Sequence, residues 1–381
     1  MTRPPLCEPA TGILPSQLAR YSRHLTLPGV GEEGQRRIIN AKVLIIGAGG
    51  LGSPIASYLI AAGVGELAVL DDDTVELSNL QRQIMHRESD VGLPKVDSVQ
   101  RLAQEHNTTV NVTKLNQRLS GGNALELFAS YDLVIDGSDN FATRYLASDA
   151  AEITGTPLVW GTLFQFSGQV SVFDPRTGPM LRDIFPDVPD ADSVPSCAEG
   201  GVFGALCGVV GSMMATEALK LITGAGSTLS GKLWLYDALN ASVRSLEFSA
   251  DPQREKVTEL GQYQSVTCAI NESFSTLSVE ELKALEQVND VLVVDVREQW
   301  EREIASIPHS VHVPLNELLA GRHEKIPATS GTTVMVCKSG ARSQQAAQYL
   351  TEQQGHAGKV FSLDGGTIRW FAEVQGQHID Y

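Results

Sequence analysis

The sequence has few cysteines and no pattern that would link them. Five cysteines are scattered through 381 residues, and none of them forms a C-x-x-C pair. An odd and sparse set of this kind excludes a disulfide-stapled secreted scaffold and favours a reducing compartment. We therefore predict a cytoplasmic protein that folds on its hydrophobic core, because a chain of this length can bury a core without covalent cross-links.

Basic charge and long apolar runs are also scarce. Lys and Arg number 29 against 45 Asp and Glu, a net charge of −16, so the surface repels phosphate backbones and no nucleic-acid binding is expected. The first ten residues hold three prolines and no apolar run, which predicts no signal peptide. The uncharged stretch at residues 200–216 has 17 residues and is rich in glycine. It is short for a membrane span, so we predict a buried core helix and no membrane partner.

Length and composition predict two domains joined by a polar segment. Hydrophobic residues make up 42% of the chain and charged residues 19%, which is ordinary for globular protein. Residues 251–275 are polar and show no clear period, as a linker does. The predicted bounds are therefore 1–250 for the first domain, 251–275 for the linker and 276–381 for the second domain.

Residues 42–71 show the order strand, glycine-rich turn, helix, strand. An apolar run at 42–46 precedes the sequence GAGGLG at 47–52, and a second apolar run at 66–70 ends in three aspartates. This order is typical of the first half of a doubly wound α/β nucleotide-binding fold, in which the helix start faces the phosphates. Further strands are predicted at 133–136, 158–160, 169–173 and 233–237, and a long buried helix at 201–221.

Polar side chains after this unit narrow the choice among NAD, FAD and ATP. Asp71 lies 19 residues after Gly52, where a carboxylate can accept ribose hydroxyls. Arg82 and Lys95 suit a triphosphate, and Asp139 suits Mg²⁺. Each also has a plainer interpretation: a surface ion pair for Arg82, a solvated helix residue for Lys95 and a helix N-cap for Asp139.

In combination these motifs resemble the MoeB/ThiF adenylyltransferases, relatives of ubiquitin-activating enzymes. The resemblance is collinear from about residue 16 to 248 and rests on residues 20–24, the 47–52 loop, residues 78–83, Lys95, residues 137–140 and residues 195–202. It implies a Rossmann-like domain that uses ATP to adenylate the C-terminal glycine of a small ubiquitin-like sulfur-carrier protein ending in Gly-Gly. It also implies a homodimer, in which Arg23 reaches the nucleotide of the partner subunit.

The same resemblance implies a set of site residues. Arg82 would act in catalysis, and Asp139 would hold Mg²⁺. The nucleotide contacts would be Gly49, Gly50, Asp71, Ser78, Asn79, Leu80, Gln81, Arg82, Lys95, Asp139, Asn140 and Arg23. No general base is needed, because a C-terminal carboxylate with a pKa of roughly 3.5 is already ionised at neutral pH.

One departure from the family concerns zinc. Many members bind structural zinc on two C-x-x-C pairs, whereas here residues 180–183 read MLRD and only Cys268 stands near the second pair. Four thiolates cannot be assembled, so no zinc site is predicted. In this respect the sequence resembles the zinc-less MoeZ-type branch.

The second domain contains a cysteine between a predicted strand, 333–336, and a predicted helix, 343–352. Helix-start amides together with Lys338 and Arg342 favour a thiolate at Cys337. Four residues separate Cys337 from Arg342, one fewer than in cysteine phosphatases, so the loop suits a sulfur atom better than a phosphate. Strands at 291–295 and 360–363 and a capping box at 278–281 complete a small α/β unit.

This unit resembles a rhodanese sulfurtransferase domain over about residues 276–381, on residues 295–298, the Cys337 loop, residues 364–366 and Trp370. The resemblance makes Cys337 the persulfide carrier and Arg342 a catalytic residue, with a persulfide donor such as a cysteine desulfurase or thiosulfate. In related two-domain enzymes the residue matching Cys197 is a second active cysteine, and packing is the alternative. The product, a carrier thiocarboxylate, would feed molybdopterin, thiamine or cysteine synthesis.

Two other functions stay open at this point. An NAD-dependent oxidoreductase with a redox-sensing domain would bind nicotinamide, which Arg82, Lys95 and Asp139 argue against. A non-catalytic scaffold that binds carriers would have degraded motifs, whereas these are intact.

Overall fold

The computed structural model describes residues 4–189, 201–261, 263, 275–287, 291–322, 325–327, 331–352, 358–377 and 379. They belong to two compact units, Met1–Val266 and Thr267–Tyr381. Cys197 and Cys268 lie outside the described residues. Residues 251–263, which the sequence analysis assigned to the linker, are largely described and pack on the first unit, since Tyr263 and Leu260 join its core.

An eight-stranded sheet forms the centre of the first unit. Its strands are β1 Lys42–Ile46, β2 Glu66–Leu70, β3 Asn111–Leu115, β4 Leu133–Asp136, β5 Leu158–Phe164, β6 Ser167–Phe173, β7 Lys232–Asp237 and β8 Ser242–Glu247. They are ordered β3-β2-β1-β4-β5-β6-β7-β8. Strands β1 to β5 pair in parallel, and β6, β7 and β8 add antiparallel strands at one edge. The predicted doubly wound fold is confirmed.

Helices cover both faces of this sheet. They are α1 Pro15–Leu18, α2 Ser22–Leu25, α3 Gly31–Asn40, α4 Gly52–Ala62, α5 Lys95–His106, α6 Ala124–Ser130, α7 Phe141–Thr154, α8 Leu181–Ile184 and α9 Gly204–Thr223. Val43 and Ile45 of β1 join the core on one face, while Leu44 and Ile46 join the core on the other. A strand buried on both faces has no polar alternation, which explains the continuous apolar run.

Helix α9 is long and apolar enough, by length and composition, to cross a membrane. In the structure it packs against α4 and the sheet. A Cβ on Gly211 would lie 2.4 Å from Pro54 Cγ, and a Cβ on Gly161 of β5 would lie 2.4 Å from Met214 Sδ. Such close approach needs glycine at both contacts. The prediction of a buried core helix is confirmed, with its bounds shifted by two to three residues.

The second unit has a five-stranded parallel sheet. Its strands are β9 Ser275–Leu277, β10 Val291–Asp295, β11 Val311–His312, β12 Thr332–Val336 and β13 Lys359–Leu363, ordered β11-β10-β12-β13-β9. Its helices are α10 Val279–Gln287, α11 Gln299–Ile304, α12 Leu315–Leu319, α13 Ala341–Glu352 and α14 Gly366–Gln375. The predicted capping box is present, since Glu281 N–H donates to Ser278 Oγ (3.2 Å) and Ser278 N–H donates to Glu281 Oε2 (2.8 Å). The smaller α/β unit is confirmed.

Candidate functional site

The loops after β1 and β4 meet where the strand order of the first sheet reverses. Strand β1 has β2 on one side and β4 on the other, so the chain leaves these strands toward opposite edges. Gly137 N–H donates to Ile46 O (2.9 Å), and a Cβ on Gly47 would lie 3.1 Å from Gly137 O. Open α/β sheets bind ligands at such a switch point, outside the carboxyl ends of the strands.

The glycine-rich loop at this point is crowded at two of its glycines. A Cβ on Gly52 would lie 2.1 Å from Gly47 O, and a Cβ on Gly50 would lie 2.8 Å from Cys207 Sγ. Gly49 is less crowded, since its Cβ would lie 3.5 Å from Gln83 Nε2. Helix α4 begins at Gly52, so its first amides lie beside this loop, as phosphate binding requires.

Asp71 is tied directly to the glycine-rich loop. Its carboxylate accepts hydrogen bonds from Ala48 N–H (2.7 Å) and from Asp73 N–H (2.9 Å). Burial raises the pKa of Asp71, although both N–H groups and the charge of Lys95 oppose the rise. Each carboxylate oxygen still has a lone pair for a ribose hydroxyl.

Lys95 lies beside this aspartate. Its side chain is 9% exposed, and its Nζ donates to Asp73 Oδ2 (2.9 Å). The plainer interpretation of Lys95 as a solvated residue is therefore wrong. His86 contacts the loop from another side: its Nε2 lies 2.9 Å from Ala48 O, and since a carbonyl only accepts, Nε2 carries the proton. Burial lowers the pKa of His86, which fits a neutral structural side chain.

Residues 78–83 lie in the segment between β2 and α5, next to the glycine-rich loop. Arg82 is half-buried, and its Nη1 donates to Ser78 O (3.0 Å). Asn79 is buried and accepts from Glu76 N–H (3.2 Å). Gln81 is exposed, and its backbone oxygen packs on the start of α9, since a Cβ on Gly204 would lie 2.3 Å from it. The remaining predicted contacts in the segment, Ser78 and Leu80, are half-buried.

The loop after β4 holds two carboxylates in different settings. Asp136 is fully buried, burial raises its pKa, and its Oδ1 accepts from Ser138 N–H (2.9 Å). Asp139 is exposed. The N-cap of α7 is Asn140, whose Oδ1 accepts from Thr143 N–H (2.9 Å), so the alternative of Asp139 as N-cap is wrong. The predicted metal-binding carboxylate is therefore free of a capping role.

Arg23 lies on α2 and is exposed. Its implied role across a dimer interface stays a prediction. Cys207 of α9 is 2% exposed and belongs to the core.

In the second unit Cys337 directly follows the central strand β12 and is 1% exposed. Its Sγ accepts from Gly340 N–H (3.1 Å) and lies 3.4 Å from Ser343 Oγ. Gly340 has φ +121°, a conformation that favours glycine and turns its amide into the loop. The loop thus curls around the sulfur atom and presents donors to it.

The first residues of α14 support the Cys337 loop. Thr367 N–H donates to Cys337 O (2.8 Å), and Ile368 N–H donates to Lys338 O (3.2 Å). A Cβ on Gly366 would lie 2.4 Å from Cys337 O, so the two loops approach closely. The glycines that carried the resemblance at this point have a packing reason.

Glu301 is a partner of the loop that the sequence analysis did not find. It accepts a bidentate pair from Arg342, at 2.7 and 2.6 Å, and its side chain is 3% exposed. Burial acts to raise the pKa of Glu301, but the hydrogen bonds from Arg342 and from Glu298 N–H outweigh it and leave that pKa lowered. The described guanidinium contacts join Arg342 to α11, so they brace the loop; a catalytic role for Arg342 stays a prediction.

Asp295 and Arg297 form a buried ion pair after β10. Both side chains are 0% exposed, and Arg297 donates to Asp295 at 3.0 and 2.7 Å and to Ala305 O at 2.8 Å. This motif therefore closes the loop between β10 and β11 and has a structural role.

Comparison with known proteins assigns both units. Residues 21–257 match the ThiF family, and residues 278–373 match the rhodanese-like domain. The chain belongs to the ThiF family. Below, the two parts are called the ThiF unit and the rhodanese unit.

Two of three curated relatives align with this chain over nearly its whole length. The probable adenylyltransferase/sulfurtransferase MoeZ of Mycobacterium tuberculosis is 42% identical over 390 residues, which cover 99% of each chain. The adenylyltransferase and sulfurtransferase MOCS3 of Aedes aegypti is 38% identical and covers 93% of this chain and 87% of its own. A sulfur carrier protein adenylyltransferase of Thermus thermophilus is 51% identical over 62% of this chain and 89% of its own.

Solved structures support the fold of the ThiF unit. E. coli MccB with MccA-N7isoASN aligns with a TM-score of 0.57 at 20% identity and covers 64% of this chain and 75% of that chain. E. coli MccB with ATP aligns with a TM-score of 0.56 at 19% identity. At such identity the likeness shows the shared fold.

These findings confirm the predicted family membership, fold class and activity. The protein is an adenylyltransferase and sulfurtransferase that combines ThiF and rhodanese units. ATP binding fits the family. The oxidoreductase and scaffold alternatives find no support.

Proposed function

We propose that the ThiF unit adenylates the C-terminal glycine of a ubiquitin-like carrier ending in Gly-Gly, and that Cys337 then converts it to a thiocarboxylate. The observation that supports this proposal is that three nucleotide-binding features meet at the switch point of the sheet. The glycine-rich loop, Asp71 and Lys95 are joined there by the Ala48–Asp71 and Lys95–Asp73 contacts. A nucleotide needs these three features: close backbone approach, a ribose acceptor and a cation.

In the first step a carrier carboxylate oxygen attacks the α-phosphorus of ATP. The bond from that phosphorus to the bridging oxygen breaks, and pyrophosphate leaves with the electron pair. The carboxylate is already ionised, so no proton moves, and the barrier is charge repulsion plus positioning. Arg82, Lys95 and the partner subunit's Arg23 would offset the repulsion.

We place Mg²⁺ on Asp139. Its exposed carboxylate offers the oxygen ligand that this ion prefers, and the loop that bears it lies at the switch point. When bound, the ion would neutralise phosphate charge. The remaining proposed contacts, to Gly49, Gly50, Ser78, Asn79, Leu80, Gln81 and Asn140, bind and orient the nucleotide.

In the second step Cys337 bears a persulfide. Its thiolate takes the sulfane sulfur from a donor, releasing the donor's thiol if that donor is a cysteine desulfurase persulfide, or sulfite if it is thiosulfate. The terminal sulfur then attacks the acyl-adenylate carbonyl, AMP leaves, and an acyl disulfide forms. The Cys197 thiolate attacks Cys337 Sγ, the carrier thiocarboxylate leaves, and an external thiol reduces the resulting Cys197–Cys337 disulfide.

Four further properties belong to this proposal. They are a homodimer, a cytoplasmic location, the absence of structural zinc, and a carrier from molybdopterin, thiamine or cysteine synthesis. The cysteine usage supports the second, and residues 180–183, which hold no thiolate, support the third.

The test is carrier-dependent ATP–pyrophosphate exchange against a panel of Gly-Gly carriers. One carrier should support exchange, and its variant lacking the final glycine should not. Mass spectrometry of that carrier, with sulfur donor added, should then show one oxygen replaced by sulfur. Exchange with no carrier, or exchange unaffected by Asp139→Ala, would contradict the corresponding part of the proposal.

A further inference from the structure

An ionic cluster joins parts of the ThiF unit that are distant in sequence. We call it the anchor cluster. It lies where α7, α8 and the segment after β8 meet, and its members are Asp149, Glu152, Arg182, Asp183, Arg254 and Tyr263.

In the anchor cluster two guanidinium groups and a phenol donate hydrogen bonds to three carboxylates. Arg254 donates from Nε to Asp183 Oδ1 (2.7 Å) and from both terminal nitrogens to Glu152 (3.0 and 3.0 Å). Arg182 donates to both oxygens of Asp149 (2.8 and 2.8 Å). Tyr263 O–H donates to Asp149 Oδ2 (2.7 Å). Bidentate pairs of this kind fix direction as well as distance.

These charges are largely removed from water. The side chains of Asp183 and Asp149 are 1% and 2% exposed, and that of Arg254 is 17% exposed. Burial acts to raise the pKa of Asp183, but the Arg254 hydrogen bond and the Met180 and Asp251 amides outweigh it, so this pKa is lowered. Burial and the hydrogen bond to Asp149 raise the pKa of Tyr263. Removal of one partner leaves a buried charge unpaired, which is strongly destabilising.

The cluster lies next to the two chain segments that lead to Cys197 and to Cys337. Residues 185–189 follow α8 and are held by Tyr145 O–H to Asp187 O (2.5 Å) and by Arg182 Nη1 to Pro186 O (2.9 Å). They directly precede the stretch that contains Cys197. Residues 251–263 are the last part of the chain that is described before the rhodanese unit and Cys337.

The zinc-binding pattern would put its C-x-x-C pairs on the same two stretches of chain, at residues 180–183 and near Cys268. The residues present do not fit zinc. Met180 is 2% exposed and packs in the core, and the Asp183 carboxylate is occupied by Arg254 and by the amides of Met180 and Asp251. A zinc site needs thiolate, imidazole or carboxylate ligands that are free to bind.

We propose that the anchor cluster takes the place of a metal cross-link between these two segments. Arg254 and Tyr263 are then positioning residues for sulfur transfer, because they fix where the chain leaves the ThiF unit. The inference rests on the proposed roles of Cys197 and Cys337. Residues 264–274 number 11, and release of residues 251–263 would lengthen this connection by 13 residues to 24. Effective concentration falls roughly as the −3/2 power of linker length, so that of Cys337 at the adenylate should fall about threefold.

The test compares Arg254→Met with Arg244→Met in the full chain. Arg244 is exposed on β8, lies outside the cluster and undergoes the same change. Arg254→Met should lower the melting temperature by about 5–10 °C. It should also speed amide hydrogen exchange in residues 251–261, leave ATP–pyrophosphate exchange within about twofold and lower the thiocarboxylate rate about threefold at nanomolar protein. Arg244→Met should match the wild type in each measurement.

Two further variants keep the test decisive if Arg254→Met folds poorly. Tyr263→Phe removes one hydroxyl and should produce the same pattern with smaller shifts. Arg254→Met with Asp183→Asn removes charge of both signs. It should melt above Arg254→Met, because only one carboxylate, that of Glu152, is then left without its Arg254 partner instead of two.

Several outcomes would overturn the inference. Unchanged hydrogen exchange in 251–261 of Arg254→Met would show that the cluster does not hold this segment. An equal fall in both activities would show general destabilisation. Bound zinc at about one per chain, or a melting temperature lowered by a chelator, would show that a metal and not the anchor cluster links the two segments. If the wild type makes no thiocarboxylate, the proposed function fails, while hydrogen exchange still tests the anchor.

Discussion

At the scale of single residues, Cys337 separates the two activities. Adenylation uses carboxylate and phosphate groups, so Cys337→Ser should retain ATP–pyrophosphate exchange. It should form no thiocarboxylate, because a hydroxyl cannot carry a sulfane sulfur. Cys7→Ser is the matched control; burial and Asp132 raise the pKa of the Cys7 thiol to about 12, so it is inert. Normal thiocarboxylate yield from Cys337→Ser without added sulfide would contradict its role.

The proposed role of Cys197, which is to cleave the acyl disulfide on Cys337, can be tested in the same way. Cys197→Ser should retain exchange and accumulate a carrier adduct on Cys337, visible as a reductant-sensitive mass shift. An external thiol can attack the acyl disulfide in its place, so dithiothreitol should restore yield in Cys197→Ser and not in Cys337→Ser. Normal yield from Cys197→Ser without reductant would return this cysteine to a packing role.

At the scale of single elements, the start of α4 depends on a missing side chain. Gly52→Ala would place a methyl group 2.1 Å from Gly47 O, a backbone atom that moves only with the nucleotide loop. We expect exchange activity to fall about tenfold or more and the melting temperature to fall, since overpacking of this kind costs about 1–3 kcal/mol. The measurements are exchange kinetics and thermal unfolding.

The matched control for this prediction is Gly208→Ala in α9. A Cβ there would meet nothing within 4 Å, and Gly208 has no left-handed φ. Glycine inside a helix costs roughly 0.5–1 kcal/mol relative to alanine, so this variant should melt slightly higher and keep its activity. Equal effects of the two variants would show that the loop tolerates a side chain.

Helix α8 and the segment after β8 give the ThiF unit an acid-sensitive joint. The pKa of Asp183 is lowered in the folded state. A lowered carboxyl pKa contributes stability that is fully present above the unfolded value, about 3.9, and is lost as pH falls through the folded value. In Asp183→Asn this pH dependence should be absent, and stability at pH 7 should be lower than in the wild type. Thermal unfolding between pH 3 and pH 7 measures both; parallel curves would contradict the assignment.

At the scale of the whole molecule, the two units have separate cores, and each should fold with the other removed. Division of the chain after Val266 keeps the anchor cluster in the first fragment. Exchange should then be unchanged, while thiocarboxylate formation should fall at nanomolar protein and recover at micromolar protein, because tethering supplies an effective concentration on the mM scale. Equal transfer by separated and joined units at nanomolar concentration would show that the linkage is irrelevant.

Local patterns in the sequence determined much of this protein. A continuous apolar run predicted β1 as a strand buried on both faces, and the glycine spacing predicted the turn into α4. The sequence also placed Cys337 between β12 and α13. These features succeed because strand burial, turn geometry and helix starts depend on neighbours a few residues away. Strands β3 and β8 were missed, since their side chains are mostly exposed and show no apolar run.

Only the tertiary structure decided which charges meet. Arg342 finds Glu301 across 41 residues, and Arg254 finds Glu152 across 102 residues. Tyr263 reaches Asp149 across 114 residues, which turns the first half of a predicted linker into part of the ThiF unit. A polar segment has the same composition whether it is solvated or paired. The outcome depends on where folding brings an opposite charge, and that position is a property of the assembled sheet and helices.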